Sequence, residues 1–149
     1  MAVDTNISMD SAKAMLDAIV DRLDLGTAAN ARFRLYNGTQ PGRPDDAITT
    51  QTLLAEIDLG AAAVFGAATT GTGGSANTAK VTSGILPKTC ASATAAGNCT
   101  WFRAVNKDNV AIIDGSAATA SADLILDNIS IATGQEVKLN SWVIKLPCE

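Results

Sequence analysis

The side chains in this chain that could do chemistry are few and scattered. They are Cys90, Cys99 and Cys148, the adjacent carboxylates Asp45 and Asp46, and the glycine-rich run GTGGS at 71–75. There is no histidine. A Ser-His-Asp or Cys-His device therefore cannot be assembled, and no CxxC gives zinc spacing. A glycine-rich run cradles phosphate when a helix follows to supply an anion-binding N-terminus. None is expected after Ser75, so the run reads as a flexible loop. Asp45 and Asp46 would suit half a calcium site or a carboxylate pair. No Asp-x-Asp-x-Asn loop accompanies them, and in a proline-containing loop such residues more commonly serve as turn and capping groups. A paired-carboxylate glycosidase usually lines its cleft with aromatics, and this chain has six in all. The expectation is a protein that is not an enzyme and holds no metal or cofactor. Cys90 and Cys99 flank ASATAAGN, a candidate hairpin loop, and are a possible disulfide. The alternative is two reduced, half-buried thiols, since cytosolic disulfides are uncommon.

At 149 residues the chain reads as one domain, 1–149. Apolar residues make up 47%, but 27 of them are alanine. The core must then be thin and spread out, as in a β-sandwich. Charged residues are 17%, below the roughly 25% of an average globular protein. Much of the surface is left to Thr, Ser, Asn, Gly and Ala, which suits faces covered by neighbours in an assembly. The net charge is −4 and no cluster of Lys or Arg stands out, which argues against nucleic acid and against an anionic membrane. No apolar run approaches the roughly 20 residues of a transmembrane helix. MAVDTNISMD lacks the basic and apolar regions of a secretory signal. The expectation is a chain made and kept in the cytosol unless lysis releases it.

The elements that must position any site are mostly strands. Residues 8–26 form the expected helix. Ala12, Met15, Leu16, Ile19, Val20 and Leu23 make one apolar stripe, Ser8 or Asp10 caps the start, and Gly26 stands where a C′ glycine should. That stripe either packs on the domain's own sheet or docks on another subunit. After Gly26 the period becomes two. ARFRLYN puts Phe33 and Leu35 on one face, and TLLAEIDL puts Leu53, Ala55, Ile57 and Leu59 together, so both read as strands buried on one side. Residues 60–80 read as loop or loosely packed edge, and AKVTSGILP contains a further strand. NCTWFRAVNKDNVAIIDG is the clearest hairpin, turning at Asn106-Lys107-Asp108-Asn109. Trp101, Phe102 and Val105 are expected to oppose Val110, Ile112 and Ile113. In the last strand Val137 and Leu139 share one parity while Trp142, Ile144 and Leu146 share the other, which implies a bulge at Asn140-Ser141. The sum is a mainly β fold: an antiparallel β-sandwich or jelly roll of about seven to eight strands with one N-terminal amphipathic helix.

The strands ending near Tyr36 and starting near Thr52 are joined by a long polar segment containing Pro41, Pro44, Asp45 and Asp46. A hairpin needs only two to five linking residues. Such length suits a crossover between two sheets, or a loop that also grips a neighbour.

RLYNGTQPGRPDDAITTQTLLAEIDL, CTWFRAVNKDNVAIIDGSAATASADLIL and ISIATGQEVKLNSWVIKLP resemble a group of small virion proteins of tailed bacteriophages. The likeness spans roughly residues 8–147, and its most specific parts are TQPGRPDDAITTQTLLAE and WFRAVNKDNVAIIDGS. The chain departs from the group's pattern at Cys90, Cys99, Cys148 and the KTCASATAAGNCT segment. The resemblance implies a capsid decoration or cement protein on the virion surface, made in the host cytoplasm. Its implied partners are the major capsid protein and further copies of itself, as a homodimer or homotrimer. A tail, neck or baseplate component is the alternative. A carbohydrate- or receptor-binding module is a second, with Tyr36, Trp101 and Trp142 as its platform. Partner contacts are expected from the helix face around Met15 and Ile19, from the 38–50 loop through Pro41, Arg43, Pro44, Asp45 and Asp46, and from the 66–78 loop.

Overall fold

A computed structural model describes residues 7–60, 66–70, 78–82 and 86–147. The GTGGS run, most of the expected 60–80 loop and Cys148 lie outside the described residues. The chain is mainly β with one N-terminal helix. Helix α1 spans Met9–Asp21. Ser8 caps it, its hydroxyl accepting from the Ser11 amide at 3.2 Å. A single 3-10 turn, Arg22–Asp24, follows, and Gly26 then takes φ +102°, where a side chain would be strained. The strands are β1 Arg32–Asn37, β2 Thr52–Asp58, β3 Thr69–Thr70, β4 Thr78–Thr82, β5 Lys88–Cys90, β6 Gly97–Asn98, β7 Trp101–Val105, β8 Ala111–Ala118, β9 Leu124–Leu126, β10 Ser130–Ile131 and β11 Val137–Pro147. These outnumber the seven or eight expected because several are only two or three residues long.

One sheet runs β2-β1-β7-β8-β9-β11-β4-β3, with β5 also on β11. The β8–β9 pair is parallel, so the sheet is mixed rather than wholly antiparallel. It nearly closes on itself as seven strands, because β5 returns to lie beside β2. A local irregularity in β2 ties the segment after β5 to it. In the β1–β2 ladder Leu35 faces Ala55 but Tyr36 faces Leu53, leaving Leu54 as an extra residue. A bulged residue drops out of its ladder, and the Leu54 carbonyl accepts from the Thr94 and Ala95 amides instead, at 2.7 and 3.3 Å. The bulge also explains why both Leu54 and Ala55 are buried, against the simple alternation expected.

β11 shows the bulge that its parity shift implied: Leu139 faces Leu126 and Ser141 faces Ile125, with Asn140 extra. Its first half pairs with β5 and β9; its second half pairs with β4 and carries the sheet past the barrel. Helix α1 packs on that extension. Ala12 and Leu16 meet Ile7, Ala68 and Ile144 there, and the Asp17 carboxylate accepts from the Ala68 amide at 2.6 Å.

At the centre of the core Phe33, Phe102 and Trp142 stand edge to face, with ring centroids 5.0 to 6.0 Å apart. Such contacts add about 0.5–1.5 kcal/mol each beyond area burial. The β7–β8 hairpin forms as expected, with Asn106 taking the Asp108 and Val110 amides on its side-chain oxygen. Its pairing differs from the expectation: Trp101 faces Ser116, Phe102 faces Gly115 and Arg103 faces Asp114. Val110 sits in the turn, exposed. Two reasons apply. Ile112 is a bulge residue, and Phe102 needs a glycine opposite, since a Cβ on Gly115 would come within 2.7 Å of its ring.

Candidate functional site: a loop latched to a buried ion pair

Four strands present one row of charge on the outside of the barrel. Glu56 on β2 faces Arg34 on β1, Arg34 faces Arg103 on β7, and Arg103 faces Asp114 on β8. Like charges directly opposite each other destabilise a ladder, so each arginine takes its own acid. Arg34 Nε donates to Glu56 at 2.6 Å in a partly exposed pair. Arg103 Nε and Nη2 donate to the two oxygens of Asp114, each at 2.8 Å. These side chains are only 7% and 2% exposed. The carboxylate beside it raises the Arg103 pKa further, so the guanidinium is charged at any ordinary pH.

The guanidinium is also spent on the long connection. Its Nη1 donates to the Asp46 carbonyl at 3.0 Å and its Nη2 to the Arg43 carbonyl at 3.3 Å. The loop is shaped to offer those two oxygens. The Asp46 amide donates to the Arg43 carbonyl at 3.0 Å, and the Asp46 carboxylate accepts from the Arg43 amide at 2.9 Å. Asp46 thus plays the capping role expected of it. At the base of the loop, Gln51 donates to the Thr39 carbonyl at 2.7 Å, and Thr100 donates its hydroxyl to the Gly38 carbonyl at 2.8 Å.

Under the latch lie two aromatic rings. Tyr36 and Trp101 stack with centroids 4.5 Å apart and planes 13° from parallel, and the Arg103 guanidinium sits 5.6 Å from the Trp101 centroid. Both rings point away from the barrel interior yet are 5% and 1% exposed; they cover each other, and Arg103 covers the Trp101 ring. Burial raises the Tyr36 pKa. Trp101 Nε1 is buried with no hydrogen-bond partner among the described residues.

The expected crossover is therefore corrected. β1 and β2 are direct antiparallel neighbours, and the excess length lets the connection fold back over their outer face to reach Arg103. The loop brings Pro41, Arg43, Pro44, Asp45 and Asp46 together. The two prolines are half-buried, and Arg43, Asp45 and Asp46 are exposed. Met15, exposed, and Ile19, half-buried, sit apart on α1. Cys90 and Cys99 are both free. The Cys99 thiol is buried, facing the Trp101 carbonyl at 3.7 Å, and that of Cys90 faces the Ser92 carbonyl at 3.4 Å. The aromatic platform is also absent: Trp101 and Trp142 are each 1% exposed. Sequence reading missed Arg103 and Asp114. Their only signal was a charge inside a strongly β-forming run, with a second at the matching distance past the turn.

Compared with known proteins, the chain matches no protein-family model, no curated protein and no solved structure.

Proposed function

We propose that this chain is a non-enzymatic structural component of a tailed-bacteriophage virion, a decoration or cement protein that binds the major capsid protein on the outside of the shell. One observation carries the reading. The two stretches most specific to the phage resemblance, 39–56 and 101–116, are far apart in the chain, yet they lock together. The first supplies the carbonyls of Arg43 and Asp46, the second the Arg103–Asp114 pair that holds them. A loop held in one shape loses little entropy when a partner engages it, and this one presents Arg43 and Asp45 outward. A cement protein binds the assembled shell and not the free subunits, so it shifts the equilibrium against disassembly, and many linked copies multiply a modest local term. Homodimeric or homotrimeric self-association belongs to the same proposal.

With it goes the finer reading of the fold as a flattened β-sandwich or jelly roll. Phe33 on β1 packing against Trp142 on β11 supports this, since the two opposing stretches of the wrapped sheet meet there. Burial of both tryptophans counts against the carbohydrate-binding alternative.

Imaging intact particles with the protein located tests the proposal. Density repeated over the shell is expected. Density confined to one vertex or to the tail would assign the protein to the neck, baseplate or tail instead.

A further inference from the structure

Among the described residues, only the short strand β9 stands between β8 and β11 in the wall of the barrel. β9 fills that position over only three residues. Ala117 pairs with Leu124 and Leu124 with Trp142. Continuing the two registers sets Ser116 level with Val143, Gly115 with Ile144, and Asp114 with Lys145. Asp123 spans the first of these levels. Its carbonyl accepts from the Val143 amide at 3.2 Å and its carboxylate from the Ser116 amide at 2.9 Å. There the chain leaves the line through Ser121, at φ +56°. The next levels hold a cavity of about 130 Å³, lined by Ile113, Asp114 and Gly115 on one side and Val143, Ile144 and Lys145 on the other. Phe102 and Trp142 form its floor.

Its shape and polarity specify an occupant. Alternate residues of a ladder send their backbone groups to opposite sides. The Ala117 amide bonds back toward Thr100 at the base of β7, and the Ser116 amide bonds toward Asp123. By the same alternation the Asp114 amide and carbonyl face the gap. On the edge of β8 away from β7, the described residues pair only Ala117 and Ala118, with β9, and none of Ile113, Asp114 or Gly115. Neighbouring strands lie about 4.8 Å apart, so a gap where one strand is missing fits one extended backbone. A residue pointing inward would meet Phe102, Trp142 and Gly115, which leaves room for a small aliphatic side chain. We infer that this slot takes a short extended segment of a partner protein, added as a strand between β8 and β11 with one small aliphatic residue turned inward. Strand addition of this kind takes affinity from main-chain hydrogen bonds and specificity from the pocket for alternate side chains.

This rests on the reading above, in that the partner is then a shell subunit. The test is amide hydrogen exchange of residues 113–115 and 143–145 in the free protein and in the protein on purified particles, with residues 132–135 as a remote reference. Exchange at Asp114 slowed on the order of tenfold or more on particles, with the reference unchanged, is expected. Protein present on particles with Asp114 exchanging at its free rate would overturn the slot while leaving the decoration role standing. Slowing that appears equally in the concentrated free protein would assign the slot to a second copy of this chain and overturn the proposal. Absence of the protein from particles would remove the decoration role, and with it a shell subunit as occupant.

Discussion

Among the described residues Arg103 donates two hydrogen bonds to Asp114 and two to the loop, and it overlies the Trp101 ring. Removing one member of a buried ion pair strands the other charge, which costs about 3–5 kcal/mol. Arg103→Met should therefore lower stability in denaturant unfolding by about that amount. Arg103→Met combined with Asp114→Leu should recover much of the loss, because no charge is then left buried. A double variant as unstable as the single would mean that the loop contacts, not the pair, dominate. Cys99 offers a separate probe. Burial pushes its thiol from an ordinary 9.0 up to about 11, and burial moves the Tyr36 hydroxyl in the same direction. Between those values the folded protein keeps a proton that the unfolded chain has lost, so stability falls as pH rises. Stability measured across the range from about 9 to about 11 should decline, and thiol alkylation near neutrality should modify half-buried Cys90 well before Cys99.

At the scale of elements, the loop and the helix are the parts whose placement tests partner contact. Shortening residues 40–47 would remove the carbonyls that Arg103 holds, at roughly 1.5–3 kcal/mol per hydrogen bond to a charged group. A cleaner probe is Arg43→Ala with Asp45→Ala, which keeps the backbone latch and removes only exposed side chains. Attachment to particles should weaken while the melting temperature stays put; full attachment would leave the loop as a connector held for its own sake. On α1, Met15 is 49% exposed, so Met15→Glu should change stability by no more than about 0.5 kcal/mol. Weaker attachment of that variant would place the helix face in the interface. Several elements were legible in the sequence because their signals are local. The Ser8 cap, the Asn106–Asn109 turn and the parity shift at Asn140 each announce themselves within a few residues. The neighbourhood of β1 and β2 was not legible, since a long connection is compatible with a crossover or with a hairpin. What decides between them is Arg103, far along the chain, and the Leu54 bulge that no local pattern marks. The parallel placement of β9 on β8 was equally hidden, because three residues carry no directional signal.

For the whole molecule, the wrapped sheet explains how so few large side chains suffice. Three aromatic rings meet at the centre, alanines such as Ala31, Ala55 and Ala104 fill the narrow remainder, and the bulged Leu54 carbonyl holds the Thr94 and Ala95 amides just after β5. The β11 strand then ties the barrel to the helix-covered extension, and the described surface includes the 38–50 loop and the exposed face of α1. Such a molecule can offer several contacts at once without rearranging its core, which is what stabilising a shell by mass action requires. The most direct measurement is the number of copies in purified virions, by quantitative mass spectrometry against the major capsid protein. A fixed stoichiometric ratio to that protein is predicted. Absence from the virion, or only a few copies per particle, would contradict the account.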